Sequence, residues 1–373
     1  MISNQIKSAY IHIPFCNQIC SYCDFSKMFY NRGLVQKYLN ALKEEILSKY
    51  KGEYLDTIYI GGGSPSCLSN LELIVLKDIT YLFNLNYDYE FTIELNVDDI
   101  EEEKLLLYKQ MGVNRVSVGI QTLNEKFLNL LNRKHTKEEV IKKINMVKRY
   151  FSNINVDFMY GFNGQTIEDL EQDLTFFKML NVPHISIYSL ILEENTKLHI
   201  KGYKPIDEDL ESNMYCYIID YLENIGYTHY EISNFSKLGY ESKHNLTYWN
   251  NELYYGFGLG ASGYVDNYRY SNTRSINNYF KGDFVLEEEF QTKELQMENE
   301  MILGLRKIIG VNKEKFFTKF NKKIEDVFYI DELLKNKLLI DNGTYLYIPK
   351  EKLYIENQVL MQFIGGCDDR TNR

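Results

Sequence analysis

Residues 8–25 read SAYIHIPFCNQICSYCDF. Ser8–Ile13 has the composition of a strand, and the loop after it carries Cys16, Cys20 and Cys23. The spacing is C-x₃-C-x₂-C. Three thiolates on one loop can reach three irons of a cubane, whereas electron carriers supply four cysteine ligands. The remaining cysteines, Cys67, Cys216 and Cys367, are scattered along the chain and read as buried small residues or incidental thiols. An incomplete ligand set leaves one position open for chemistry, the logic that separates catalytic from structural zinc sites. The expectation is a [4Fe–4S] cluster on Cys16, Cys20 and Cys23 with one vacant iron. A zinc site is the competing reading, and His12 would have to complete it. His12 lies inside the strand, four residues before Cys16, which makes that arrangement awkward.

Moving outward, β-rich runs alternate with amphipathic stretches. Strands are predicted at Ser8–Ile13, Thr57–Ile60, Glu90–Leu95, Arg115–Ile120, Ile154–Tyr160 and His184–Leu190. Helices are predicted at Leu34–Lys49, Leu71–Phe83, Ile100–Met111, Lys137–Tyr150, Ile167–Leu180 and Asp207–Ile225. Six β-then-α units imply a parallel sheet with right-handed crossovers. Ligands in such folds bind at the carboxyl ends of the strands, where the polar and glycine-rich residues cluster here. Spacing leaves open whether the units form a partial (β/α)₆ barrel or a doubly wound sheet.

Composition shifts near residue 226. Tyr227–Tyr270 is rich in Tyr, Asn, Gly and Ser, and helical patterns return at Thr292. The run from Lys337 through Asn342-Gly343 to Ile348 signals a hairpin. The division read from this is a barrel core over 1–226, a Tyr/Asn-rich extension covering it over 227–290, and a small winged-helix-like unit over 291–373.

The bulk numbers agree with an α/β protein of this size. The chain has 373 residues, room for a barrel of about 250 plus an appendage. Its net charge of −10 argues against sequence-independent nucleic-acid binding, which needs a basic face. No run of about 18 apolar residues suggests a membrane span, and the start has no signal-peptide pattern. Cytoplasmic residence is the expectation, and clustered cysteines read there as metal ligands rather than disulfides.

Tyr10-Ile11-His12-Ile13-Pro14-Phe15-Cys16, followed by Cys20, Cys23, Asp24 and Phe25, resembles the radical S-adenosylmethionine superfamily. More narrowly it resembles the branch that holds oxygen-independent coproporphyrinogen III oxidase and the HemW-type heme chaperones. The resemblance implies a radical-SAM barrel in which the open iron binds S-adenosylmethionine. Gly61-Gly62-Gly63-Ser64-Pro65 is similar to the family's glycine segment, with Ser64 in place of the commoner threonine. The resemblance further implies that Tyr10, Tyr22, Gly62, Gly63, Ser64, Glu94, Gln121, Arg133 and Asp157 contact that cofactor. Taken singly, each is an ordinary strand-end residue.

His244-Asn245-Leu246-Thr247-Tyr248-Trp249 resembles a segment of the chaperone branch, and makes His244 a candidate heme contact. The oxidase carries a further cysteine where this chain has Phe25, has a longer N-terminal extension, and needs a second cofactor site that is not evident. These departures favour the chaperone. One departure runs the other way: Gly258-Leu259-Gly260-Ala261-Ser262 has Ser262 where a histidine is usual. The expected function is heme binding and delivery to an acceptor protein. An electron donor of flavodoxin or ferredoxin type is implied, and a homodimer and peripheral membrane contact are compatible. The rivals are oxidative decarboxylation of coproporphyrinogen III and a cluster-bearing scaffold or electron-transfer protein without radical chemistry.

Overall fold

Strand residues that alternate between apolar and polar set the frame of the computed structural model, which describes residues 5–366. Six strands carry it: β1 (Ser8–Ile13), β2 (Tyr54–Gly62), β3 (Asn84–Asn96), β4 (Arg115–Gln121), β5 (Asn153–Tyr160) and β6 (His184–Ser189). Each is followed by its helix: α1 (Arg32–Lys49), α2 (Asn70–Thr80), α3 (Glu102–Met111), α4 (Lys137–Lys148), α5 (Ile167–Leu180) and α6 (Glu208–Asn224). Capping boxes start three of the helices: Ser69 with Glu72, Thr136 with Glu139, and Thr166 with Asp169. Gly112 ends α3 at φ +96°, a conformation that costs glycine little.

The strands pair in sequence order, β1 to β6, and every pair is parallel. A doubly wound sheet would reverse direction at a switch point. No reversal occurs among these six, so the partial (β/α)₆ barrel is the fold. One face of each strand packs under the helices. Ile11, Ile58, Ile93, Val118, Val156 and Ile187 all lie in the main apolar core. The alternate residues turn inward, and most of them are polar.

The Tyr/Asn-rich stretch supplies strands at both edges of the sheet. Residues 228–231 and 234–236 extend the sheet antiparallel beyond β6, and Tyr255–Phe257 adds a parallel strand beside β1. Glu45 of α1, with 0% exposure, fastens this second edge. Its carboxylate accepts from Lys49 Nζ at 2.7 Å, Gly258 N at 2.8 Å, Asn272 Nδ2 at 2.7 Å and Tyr279 Oη at 2.6 Å.

The C-terminal part holds helices Lys293–Gly304 and Lys313–Phe320 and a three-stranded sheet of Val311–Asn312, Tyr345–Tyr347 and Ile340–Asp341. The expected hairpin forms at Asn342-Gly343, with Gly343 at φ +89°. Among the described residues no helix is long and apolar enough to cross a membrane. Cys67 is buried and Cys216 exposed, while Cys367 lies outside the described residues.

Candidate functional site

The cysteine loop leaves β1 and is closed at its base by a short parallel pairing of Phe15–Cys16 with Met28–Phe29. It is pinned from outside as well. Ser21 N donates to Leu131 O at 3.1 Å, and Leu198 N donates to Ser21 O at 3.1 Å. Cys16, Cys20 and Cys23 face a cavity of about 680 Å³ at the carboxyl ends of the strands. Tyr10, Tyr22, Gly62, Gly63, Ser64, Glu94, Gln121, Arg133 and Asp157 line the same cavity. Twelve residues singled out from the sequence are thus brought together; His244 is not among them.

Strand parity explains the gathering. Side chains on one face recur every second residue. On β4 the inward set is Arg115, Ser117, Gly119 and Gln121, and on β5 it is Asn155, Asp157 and Met159. Gln121 sits at φ +73°, next to a register shift between β4 and β5. A left-handed conformation at a non-glycine residue is held against its cost by the surroundings, and such residues cluster at functional sites.

Glu94 accepts from Tyr59 Oη at 2.8 Å and from Gly62 N at 3.1 Å. Burial, aided by the nearby Asp157 charge, pushes its carboxyl up to about 7. Burial also raises the Asp157 carboxyl, against hydrogen bonds from Asn155 Nδ2 at 2.7 Å and Ser117 Oγ at 3.3 Å. Arg115 opposes both shifts. The sequence reading missed Arg115. The available signal was a charged residue in phase with Ser117, Gly119 and Gln121 on a strand whose other residues are apolar. Tyr59 and Asn96 were missed for the same reason.

Arg133 follows Asn132, the left-handed cap of helix Glu125–Leu131. Its guanidinium donates to Gly119 O at 2.9 Å and, more weakly, to Tyr22 Oη and Asn96 Oδ1, each at 3.4 Å. Its Nε is buried without a partner, and no ion pair involves Arg133 among the described residues. A buried cation without a carboxylate is costly unless a ligand supplies one.

The donor set can be tested against the cofactors that the cysteine spacing and the family resemblance imply. Among the described residues no three His, Cys, Asp or Glu side chains converge on a single-ion site. His12 is not a spare zinc ligand: Nε2 donates to Ser26 O at 2.7 Å, so Nδ1 accepts from Tyr10 Oη at 3.0 Å. Burial holds its ring neutral, with the pKa lowered to about 4. Three thiols on one loop that do not meet at a point suit a cluster with a separate iron for each. Burial first, and the neighbouring thiols second, push the Cys16 thiol up to about 12, and burial raises Cys23. Their thiolate forms therefore need a metal's positive charge. The glycine run leaves the backbone itself as cavity wall. A Cβ on Gly63 would sit 2.8 Å from Phe15 O and 2.9 Å from Cys16 Sγ, and one on Gly61 would sit 2.8 Å from the Glu94 carboxylate. The residues present fit a thiolate-held cluster beside a ligand that bears both a carboxylate and an ammonium group.

His244 lies outside this arrangement. It is 1% exposed, on helix Lys243–Trp249 against the inward face of β2. Nδ1 is bonded to Thr57 Oγ1 at 2.7 Å and Nε2 to Tyr248 Oη at 2.7 Å, and the ring stacks on Tyr59 at 5.1 Å. Neither ring nitrogen is open to an axial position in this structure.

Residues 10–177 match the Radical SAM superfamily. The heme chaperone HemW of Lactococcus lactis is 40% identical over 368 residues, covering 96% of this chain and 97% of that protein. The heme chaperone HemW of Bacillus subtilis is 39% identical over 379 residues, covering 96% and 100%. The heme chaperone HemW of Escherichia coli is 30% identical over 372 residues, covering 96% and 98%. Among solved structures, coproporphyrinogen III oxidase (HemN) from Escherichia coli superposes with a TM-score of 0.84 over 97% of this chain and 91% of that one. At 20% identity that likeness shows the fold alone. The chain belongs to the HemW heme-chaperone family of the radical SAM superfamily.

Proposed function

We propose that this protein binds heme and passes it to an acceptor protein, while holding a [4Fe–4S] cluster on Cys16, Cys20 and Cys23 and S-adenosylmethionine in the adjoining cavity. The observation that carries the cofactor assignment is the meeting of three thiols with the unpaired Arg133 guanidinium in one cavity. Near-full-length likeness to HemW relatives supports heme as the cargo. A cluster of this type, when bound and reduced, supplies the electron that cleaves the sulfonium, as cofactors supply radical chemistry generally.

The chain's own residues do the positioning. Arg133 pairs with the methionyl carboxylate. The glycine backbone receives the amino group at close approach. Glu94 and Asp157 take the ammonium or the ribose hydroxyls, and Arg115 holds the two carboxyls toward their ionised forms. Tyr10 and Tyr22 flank the ligand, and Gln121 reaches it from its left-handed turn. His244 enters the proposal as a packing residue between Thr57 and Tyr248, not as the axial ligand. The compartment proposed is the reducing cytoplasm, where these thiols stay free. A low-potential flavodoxin or ferredoxin is the proposed electron source. Limited proteolysis cutting near residues 226 and 290 would support the three-part division.

Anaerobic reconstitution followed by heme titration tests the proposal. The expected result is four irons per chain, a saturable Soret shift, and no protoporphyrinogen formed from coproporphyrinogen III with S-adenosylmethionine and reductant. Changing Cys16, Cys20 and Cys23 to alanine should abolish iron loading. Full iron content in that triple variant, or bound zinc in place of iron and sulfide, would sink the assignment.

A further inference from the structure

The cavity has two zones. Its depth is lined by the polar inner faces of the strands. Its mouth is built from three separate segments: Asp24–Lys27 of the cysteine loop, Ser189 at the end of β6 with Ile191 and Glu193 after it, and Gly260–Ser262 with Arg274. These segments are held together. Leu198 N bonds Ser21 O, and Tyr22 packs with Leu190, Leu192 and Leu198 in a small apolar cluster. Gly260 approaches Ser26 so closely that a Cβ there would lie 2.2 Å from Ser26 Oγ and 3.5 Å from Arg274 Cγ.

Two apolar side chains face the mouth while largely exposed, Phe25 at 67% and Ile191 at 68%. Single exposed apolar residues need no explanation. Two that line one cavity from different segments, beside a polar interior, do. Two cations share the rim. Lys27 Nζ donates to the carbonyls of Cys23 at 2.5 Å and Phe25 at 3.3 Å, and to no carboxylate. Arg274 makes no hydrogen bond or ion pair among the described residues. Asp24 and Glu193 also line the mouth, so its net charge is balanced. What marks Lys27 and Arg274 is that neither has a carboxylate partner among the described residues.

We infer that the mouth is the heme seat, with the macrocycle against Phe25 and Ile191 and its propionates toward Arg274 and Lys27. The inference rests on the heme-chaperone reading above. Heme is a flat apolar disc with two carboxylates on one edge, and this rim offers apolar side chains beside two cations that, among the described residues, have no carboxylate partner. Heme seated here covers the cavity. Bound heme therefore slows exchange of S-adenosylmethionine, and the two ligands' affinities are linked reciprocally wherever they touch.

The experiment is hemin titration of the full-length, anaerobically reconstituted protein, followed at the Soret band. Iron and sulfide content serves as the check on folding. Phe25→Ala combined with Ile191→Ala should weaken binding roughly tenfold or more, the scale of two lost apolar contacts. Phe25→Leu should restore most of it. Arg274→Gln should weaken heme about threefold and leave the heme dimethyl ester unaffected, because the ester has no propionate charge. Ile191 and Arg274 lie off the cysteine loop, so Ile191→Ala and Arg274→Gln keep the test valid if the Phe25 variant loses its cluster. Unchanged affinity in Ile191→Ala and Arg274→Gln, with saturable binding by the parent chain, would overturn the seat and leave the heme reading standing. No saturable Soret shift in the parent chain would bring down the heme reading, and the seat with it.

Discussion

Two buried charged clusters of this molecule are built in opposite ways. Around Glu45, four donors from four different residues converge on one carboxylate, and it is saturated. In the cavity at the strand ends, Glu94 and Asp157 are raised by burial, and Arg115 and Arg133 each keep a buried Nε without a partner. Satisfied buried polar networks rigidify a fold, whereas unsatisfied ones are costly and call for an explanation. The first cluster fastens residues 255–280 to α1. The second is incomplete as protein alone, which is what a ligand site requires. Burial differs too, since Glu45 is fully buried while Glu94, Asp157 and Arg133 are half-buried at the cavity wall, but completeness of hydrogen bonding is the sharper difference.

Glu45 is the most sensitive point of the first cluster. Glu45→Ala should cost about 3 kcal/mol or more of stability, since it strips a buried ionic network of its centre. Chemical denaturation would measure this, and a loss below about 1 kcal/mol would remove Glu45 from the structural class. In the fraction that stays folded, affinity for S-adenosylmethionine should be unchanged.

His244→Ala is the next largest, at about 2 kcal/mol, because Thr57 and Tyr248 lose a buried partner. Heme affinity should not move. A selective loss of heme binding at full stability would reinstate His244 as a ligand.

Arg133→Gln tests the other side of the comparison. Stability should change little, since Arg133 is half-buried and carries no ion pair among the described residues, while S-adenosylmethionine affinity falls roughly tenfold or more. Equilibrium dialysis with labelled cofactor reads the affinity. A stability loss without an affinity loss would make Arg133 structural.

The smallest effect is a slope. The Glu94 carboxyl is raised to about 7 from an ordinary value of 4.5. The unfolded chain therefore loses this proton at lower pH than the folded one. Between about 4.5 and 7 the native state binds more protons, so stability from this group falls as pH rises and levels off above about 7. Glu94→Gln should flatten that decline in a denaturant-midpoint series against pH. A series unaltered by the substitution would place the Glu94 titration elsewhere.

Much of the site was legible because its signals are local. Cys16, Cys20 and Cys23 share one loop, and the glycine run and Glu94 sit at the ends of recognisable strands. Arg115 was not singled out, because an arginine opening a strand looks like an edge residue until its inward phase is known. His244 shows the converse: a histidine beside aromatics suggests a ligand, and no local pattern signals the two ring bonds that engage it. Tyr255–Phe257 was hidden because three residues carry too little periodicity to read as a strand.

By itself, the sequence determined the six β-then-α units, the thiol loop and the polar residues at the strand ends, since these depend on spacings of two to about four residues. Only the tertiary structure decided the sequential strand order, the second sheet edge, the saturation of Glu45 and the engagement of His244. Those rest on partners such as Tyr279 and Thr57, 234 and 187 residues away in the chain, where no local pattern reaches. Hydrogen-bond completeness is a property of the packed interior, and it is what distinguishes the fastening cluster from the candidate ligand site.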